Sequence, residues 1–259
     1  MQEADDLALL EAAVRSAGEI ALRYWRKAPK SWDKGGDAGP VSEADLAVNA
    51  ALEADLRAAR PGYGWLSEES PDGPDRLAAE RVFILDPIDG TRAYLAGEEN
   101  FALSLAVVQA GRPVAAVVYL PAKSRLYAAT ASGPALRDGQ PIRCSPRTEL
   151  TGAEVLSNRA ALAPELWPRG VPDVKRTFRA SIAYRLCLAA EGRFDAMLTL
   201  RPTWEWDIAA GALIAGRAGC VVSDPEGRPI PLNAADPRAS GIIAANPALH
   251  GALIAARRP

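Results

Sequence analysis

Arg81-Val82-Phe83-Ile84-Leu85-Asp86-Pro87-Ile88-Asp89-Gly90-Thr91 is the stretch on which the reading of this chain turns. Val82 to Leu85 is a short apolar run that predicts a buried strand, and it stops at two carboxylates spaced i, i+3 around a proline, followed by Gly-Thr. In α/β architectures such strand ends collect ligands and catalytic groups, because the sheet holds the backbone still while the loop exposes polar atoms. Pro87 fixes its own φ and biases Asp86 towards extended geometry, which would let both carboxylates and the Ile88 carbonyl face one point. Hard cations favour such oxygen clusters. Gly90 permits close backbone approach to a ligand, and the amides of Gly90 and Thr91 would donate to a phosphate if a helical turn begins there. Taken alone, the same residues also suit an Asx-type turn that caps the next segment.

Outward from this stretch, the composition is that of an ordinary globular protein. The chain has 259 residues, 24% charged and 49% hydrophobic, enough to bury a sizeable core. A net charge of −2 with no long Lys/Arg block argues against nucleic-acid polymers as partners. Met1 to Asp6 is acidic where a signal peptide would be basic, and no apolar run approaches a membrane span, so no membrane partner and a cytoplasmic location are expected. Cys144, Cys187 and Cys220 are far apart and odd in number, which supports neither a disulfide framework nor a zinc site, and they are expected to be small buried hydrophobes. The single histidine, His250, has no nucleophile beside it and is expected to be structural or exposed. Any metal must then be held by carboxylates and carbonyls, which favours magnesium, manganese or calcium.

Leu7 to Trp25 carries apolar residues at helical spacing. Ser31 to Pro40, with Lys34-Gly35-Gly36, reads as a flexible basic loop. A second helix runs to about Ala59, and Ser42 with Asp45 forms an S-x-x-D capping box, so Asp45 reads first as a cap residue. Tyr63 to Ser67 predicts another strand that ends in acid, Glu68-Glu69, which weakens the turn reading of Asp86 and Asp89. Phe101–Gln109, Pro113–Leu120 and Arg125–Ala131 form an antiparallel meander, with a tight hairpin at Asp138-Gly139. From Gly152 onward, apolar runs (153–156, 174–178, 196–200, 220–223, 241–245) alternate with helical segments near 162–167, at 181–191, at 208–218 and from Pro247. That alternation predicts an α/β half with a mixed, partly parallel sheet. Asp207, before a small-residue helix start in Trp206-Asp207-Ile208-Ala209-Ala210-Gly211, reads as an N-cap or a ligand.

Together, Asp86 to Thr91, Trp206 to Gly211, Ser67-Glu68-Glu69 and Val41 to Asp45 resemble the four signature segments of the inositol monophosphatase superfamily, in the family's order and over nearly the whole chain. The resemblance implies a layered α/β/α/β sandwich, with an N-terminal antiparallel sheet half (residues 1–145) carrying most metal ligands. A C-terminal half (residues 146–259) would carry Asp207 and the substrate contacts, the two forming one compact unit. It also implies magnesium-dependent, lithium-inhibited phosphomonoester hydrolysis. Glu68, Asp86, Asp89, Asp207 and the Ile88 carbonyl correspond to ligands for two or three Mg2+ ions. Thr91, Glu68 and Asp45 correspond to the catalytic set that holds the attacking water and an additional metal, and Asp89, Gly90 and Thr91 would meet the phosphate. Gly39 stands where the family often has Asp or Ser. Metal-activated water suits a chain without a nucleophilic Ser, Cys or His at the site, and several carboxylates in one pocket would repel without cations.

Substrate contacts are expected from Ser181 and Arg201. Inositol phosphatases usually carry a carboxylate near the position of Leu200 or Arg201; this chain has none, and the Arg201-Pro202-Thr203 segment looks more like the bacterial 3′(2′),5′-bisphosphate nucleotidases. A bisphosphate nucleotide is therefore the first expected substrate, with inositol 1-phosphate or another sugar phosphate as the alternative. Two other readings stand beside it. The Asp-x-x-Asp-Gly-Thr pattern is one residue too long for the nucleophilic loop of haloacid-dehalogenase-type phosphatases, and a non-catalytic metal or sugar-phosphate binding module would retain the same cleft. Association as a homodimer is left open.

Overall fold

The computed structural model describes residues 2–35 and 39–258. Its elements in chain order are α1 (Gln2–Tyr24), β1 (Ser31–Asp33), β2 (Pro40–Ser42), α2 (Glu43–Ala59), β3 (Gly64–Ser67), β4 (Arg81–Asp89), α3 (Thr91–Leu95), β5 (Ala102–Gln109), β6 (Arg112–Leu120), β7 (Arg125–Thr130), β8 (Leu136–Arg137) and β9 (Gln140–Pro141). There follow β10 (Ala153–Leu156), β11 (Val174–Thr177), α4 (Ile182–Ala190), β12 (Ala196–Thr199), β13 (Thr203–Trp204), α5 (Glu205–Arg217), β14 (Val221–Ser223), β15 (Arg238–Ala239), β16 (Ile242–Ala245) and α6 (Pro247–Arg257).

β4 is buried along its whole length, and its alternate side chains go to two different cores. Phe83 and Leu85 join Leu10, Val14, Val48 and Leu52, the inward faces of α1 and α2. Val82 and Ile84 face α4 and α5. The strand therefore sits in a seven-stranded sheet of order β3-β4-β5-β6-β7-β8-β9, covered by helices on both faces. A second sheet, of order β11-β10-β12-β16-β14, contributes Leu156, Met197, Ile242 and Ala244 to the core beneath α4 and α5. Its other face, with Val155, Leu198 and Ile243, packs on Leu249 and Leu253 of α6 and on Trp167. The result is the expected layered α/β/α/β sandwich, with α6 as an outer cover.

The first sheet is not wholly antiparallel. β3 runs parallel to β4 in the register Ser67↔Leu85, and the Glu68 amide donates to the Leu85 carbonyl at 3.3 Å. Parallel alignment brings the acidic C-terminal ends of both strands to one edge of the sheet, which no pattern local to either strand reveals. In the second sheet β10 pairs parallel with both β11 and β12, while β16 pairs antiparallel with β12 and β14.

Four further expectations are corrected. The Ser31–Pro40 segment begins and ends in the antiparallel pair β1/β2 rather than forming an open loop, and Gly36 lies outside the described residues. β4 continues through Pro87 to Asp89, with a bulge between Asp86 and Asp89 against β5; proline, which donates no amide, is at home in such an interruption. The segment expected to be helical near 162–167 forms two 3₁₀ turns, Ala160–Leu162 and Pro164–Leu166, because Pro164 holds Ala163 extended. Helix α5 starts at Glu205, so Asp207 lies in its first turn and is not its cap.

Candidate active site

Three chain segments meet at the acidic edge of the first sheet. β3 delivers Glu68, the β4 bulge delivers Asp86 and Asp89, and the first turn of α5 delivers Asp207. Ser104 on β5 anchors that turn by donating to the Trp206 carbonyl at 3.1 Å. One carboxylate oxygen each of Glu68, Asp86 and Asp207 lies within 4.8 Å of the others. Asp86 is buried, while Glu68 and Asp207 are half-buried at the opening.

Local hydrogen bonds explain the aim of each group. Asp86 Oδ1 accepts the Ile88 amide at 2.8 Å. The Ile88 carbonyl accepts from Thr91 Oγ1 at 3.1 Å, and Thr91 Oγ1 also reaches Asp45 Oδ1 at 3.2 Å. Asp45 does cap α2, accepting the Ser42 amide at 2.9 Å and the Ser42 hydroxyl at 2.5 Å through Oδ2. Its other oxygen meets Thr91, so the cap role leaves one carboxylate oxygen turned towards the acidic edge. Gly90, at φ 98°, starts α3; a Cβ there would stand 3.2 Å from the Asn100 carbonyl oxygen and 3.3 Å from the Ser181 nitrogen. A side chain at this position would be both strained and crowded.

Asp89 Oδ2 accepts from the Ser181 hydroxyl and the Ala183 amide, each at 2.7 Å. Ser181 is fully buried, and its hydroxyl also accepts the Tyr184 amide at 2.9 Å as the N-cap of α4. Beside any contact with substrate, the Ser181 hydroxyl thus orients Asp89 and caps α4. Arg201 is exposed, on the turn between β12 and β13, yet near enough to Asp207 to oppose the protonation of that carboxyl.

Two cations stand beside these carboxylates, Lys34 of the basic loop, whose role the sequence left open, and Arg185, which it did not single out. Lys34 Nζ lies 2.7 Å from Glu68 and 2.8 Å from Glu69; burial works against its charge, but the two carboxylates hold its pKa above the ordinary lysine value. Arg185, one turn beyond Ser181 on α4, is buried beneath the ring of Phe178. Burial pulls its pKa down to about 10, against the pull of Asp89 and Asp207, and its Nη1 has no hydrogen-bond partner among the described residues. The available signal was a lone arginine inside the apolar run Ile182 to Ala190.

Burial and mutual repulsion disfavour charge on several of these carboxyls at once. Burial pushes Glu68 up to about 7 and Asp45 up to about 6. Asp86 and Asp207 are raised well above the usual carboxylate range, by burial first and then by each other's neighbours: Glu68 and Asp89 act on both. Asp89 is also raised by burial, with Ser181, Ala183 and Arg185 opposing. An all-oxygen donor set whose members repel one another fits a hard divalent ion. No helix among the described residues is long and apolar enough to cross a membrane.

A layered sandwich that gathers such an oxygen cluster at a strand-bulge edge offers a site that could hold a cation. The sequence pattern of the inositol monophosphatase family matches residues 3–259, and the chain belongs to that family of phosphatases. It is 30% identical over 225 residues to the 3′(2′),5′-bisphosphate nucleotidase CysQ of Escherichia coli K12, covering 83% of this chain and 89% of that one. It is 33% identical over 207 residues to the inositol-1-monophosphatase of Rhizobium meliloti, covering 77% of each. Among solved structures, the Thermotoga maritima inositol monophosphatase superposes with a TM-score of 0.83 at 26% identity, over 97% of this chain and 96% of the other.

Proposed function

We propose that the chain is a magnesium-dependent phosphomonoesterase whose first substrate is a 3′(2′),5′-bisphosphate nucleotide such as adenosine 3′,5′-bisphosphate. The observation that carries this reading is the convergence of Glu68, Asp86 and Asp207 within 4.8 Å, beside Asp89 and the Asp45–Thr91 pair. Glu68, Asp86, Asp89, Asp207 and the Ile88 carbonyl would hold two or three ions. When bound, these ions supply positive charge that activates water and neutralises the transferring phosphoryl group. Thr91, held between the Ile88 carbonyl and Asp45, orients the attacking water. Asp45 and Glu68, pushed up to about 6 and about 7, are suited to accept its proton near neutral pH. Gly90 leaves room for the phosphate against the start of α3.

Substrate preference rests on charge. Arg185 and Arg201 both bear on Asp207, and the chain carries no carboxylate at Leu200 or Arg201 to accept hydrogen bonds from ring hydroxyls. A second anionic group on the substrate would answer those guanidiniums. Because Arg201 is exposed, its contribution should be no more than about 1 kcal/mol. The buried Arg185 should contribute roughly 1.5–3 kcal/mol.

The test is phosphate release from adenosine 3′,5′-bisphosphate and from inositol 1-phosphate, with magnesium and with excess chelator, followed by lithium titration. Release only with magnesium, favouring the bisphosphate, is expected; full turnover in chelator would sink the metal mechanism. A clear preference for inositol 1-phosphate would overturn the nucleotidase assignment and leave the phosphatase standing.

A further inference from the structure

Outside the acidic edge, cations from three chain segments line one pocket of about 390 Å³: Lys123, Arg125, Arg179 and Arg193, with Asn100 and Tyr184 between them. Lys123 and Arg125 flank Ser124 in the turn between β6 and β7, Arg179 precedes α4 and Arg193 follows it. The Arg193 amide donates to the Leu188 carbonyl at 3.1 Å, closing the helix, and Tyr127 of β7 meets Tyr184 of α4 ring to ring at 6.5 Å, which holds the strand against it. Among the described residues, no Asp or Glu lines the pocket. Two carboxylates stand near it. Glu99 is 3.1 Å from Lys123 Nζ, and Glu191 is engaged by Arg137 at 2.7 Å and by the Tyr127 hydroxyl at 3.0 Å. No carboxylate among the described residues is within ion-pairing distance of Arg125, Arg179 or Arg193. Arg179 uses one donor on the Phe178 carbonyl, at 2.7 Å. Burial, with Glu191 beside it, raises the Tyr184 hydroxyl, and Arg125, Arg193 and Arg179 all oppose that rise, so the three guanidiniums bear on one point.

We propose that this pocket is a second anion site, separate from the acidic edge, which takes a compact polyphosphate of two or three adjoining phosphoryl groups. Three guanidiniums without a counter-charge repel one another, and an anion placed among them removes that repulsion while accepting several charge-assisted hydrogen bonds. Arginine suits this ligand better than lysine would, because its planar fork meets phosphate oxygens in pairs and its charge is not lost by deprotonation. The volume falls in the range of small-ligand pockets and exceeds what a single phosphate needs. The buried Leu188 and Phe194 form its floor, a low-dielectric wall that strengthens the field of the cations above it. The ligand requires no metal, since the charges that face it are already positive. The site also adjoins the phosphate-binding turn proposed above: a Cβ on Gly90 would stand 3.2 Å from the carbonyl oxygen of Asn100, and Arg179 lies two residues before Ser181.

The experiment titrates the full-length protein calorimetrically with inorganic pyrophosphate in excess chelator, so that no metal can carry the anion to the acidic edge, with sulfate as the single-anion comparison. Saturable binding of pyrophosphate, tighter than that of sulfate, is expected. Arg193→Gln, an exposed position that the fold should tolerate, and Arg125→Gln should each weaken it at least about tenfold, the loss expected for a hydrogen bond to a charged group. Arg201→Gln should leave it unchanged. Location is read separately, by phenylglyoxal modification mapped by mass spectrometry: pyrophosphate should shield Arg125 and Arg193 and leave Arg201 reactive. Tripolyphosphate and ATP run in parallel tell a free anion from a nucleotide-borne chain, and binding of either supports the site. No saturable pyrophosphate binding below about 10 mM, equal affinity for sulfate, indifference to both pocket variants, or shielding of Arg201 in place of Arg193 would each overturn the proposal. So would an Arg193 already shielded without pyrophosphate, the mark of a pocket covered by a second copy of the chain.

Discussion

Asp86 accepts the Ile88 amide with one oxygen and faces Glu68 and Asp207 with the other, and neither its burial nor those neighbours favour its charge. Asp86→Asn keeps an oxygen for the Ile88 amide and removes the least tolerated charge of the metal-free site. The metal-free thermal midpoint at pH 8 should therefore stay level or rise. Turnover should fall at least roughly a hundredfold, about 2.7 kcal/mol of lost transition-state stabilisation. Differential scanning calorimetry beside phosphate release checks both; a variant that unfolds would make Asp86 a structural turn residue instead. The carboxylates themselves were legible, because each ends a strand or opens a helix where the sequence pattern breaks. Arg185 was not, since its value lies in which carboxylates it faces across the α4/α5 junction. The bonds of Ser181 to Asp89 and to the start of α4 were not legible either, since a hydroxyl can serve substrate or backbone and only the fold shows which partners stand beside it.

Between elements, the strongest unanticipated tie is the one from α1 to the start of β4. Asp6 is fully buried, accepts from Arg81 Nη1 at 2.5 Å, from Arg60 Nε at 3.0 Å and from the Tyr63 hydroxyl at 3.0 Å. The sequence showed only an acidic N-terminus there. Asp6→Ala leaves the buried Arg81 guanidinium without its counter-charge and should cost about 3–5 kcal/mol, the range for breaking one side of a buried ion pair. For a chain of this size that corresponds to a fall of roughly 10 °C or more in thermal midpoint. A shift under about 2 °C, the effect of an ordinary surface change, would refute it. The helices and most strands followed from periodicity, because a face that must be buried repeats at a fixed interval. The 3₁₀ turns near Pro164 and the parallel β3/β4 pair did not, since the first depends on one proline and the second on a partner 18 residues away (Ser67 to Leu85).

For the whole molecule, the concentrated carboxylates make metal-free stability depend on pH in a defined direction. Asp45 and Glu68 titrate near 6 and 7 in the folded protein, above the roughly 4 of an unfolded carboxylate. Between those values the folded state holds protons that the unfolded chain has released, so their contribution is fully present below about pH 4 and is lost as pH rises through about 7. His250, lowered by burial and bonded to Ser223 Oγ at 2.7 Å, works the other way: its contribution fades as pH falls through its folded value. Three raised carboxyls beyond Asp45 and Glu68 (Asp86, Asp89 and Asp207) outweigh that one group. The metal-free midpoint should thus fall from pH 5 to pH 8, and saturating magnesium should raise it most at pH 8, where the ligands are most ionised. A metal-free midpoint that rises over this range would contradict the carboxylate account. What the sequence by itself determined was the run of helices and strands, the acidic strand ends and, through the resemblance of four signature segments, the family with its layered fold, because periodicity and short motifs are local properties of the chain. What only the tertiary structure decided was which charges meet: Lys34 on Glu68 and Glu69, Arg81 and Arg60 on Asp6, Arg185 behind Asp89 and Asp207. Those pairings join residues tens of positions apart, and electrostatics and hydrogen bonding depend on distance in space, which one-dimensional spacing does not encode.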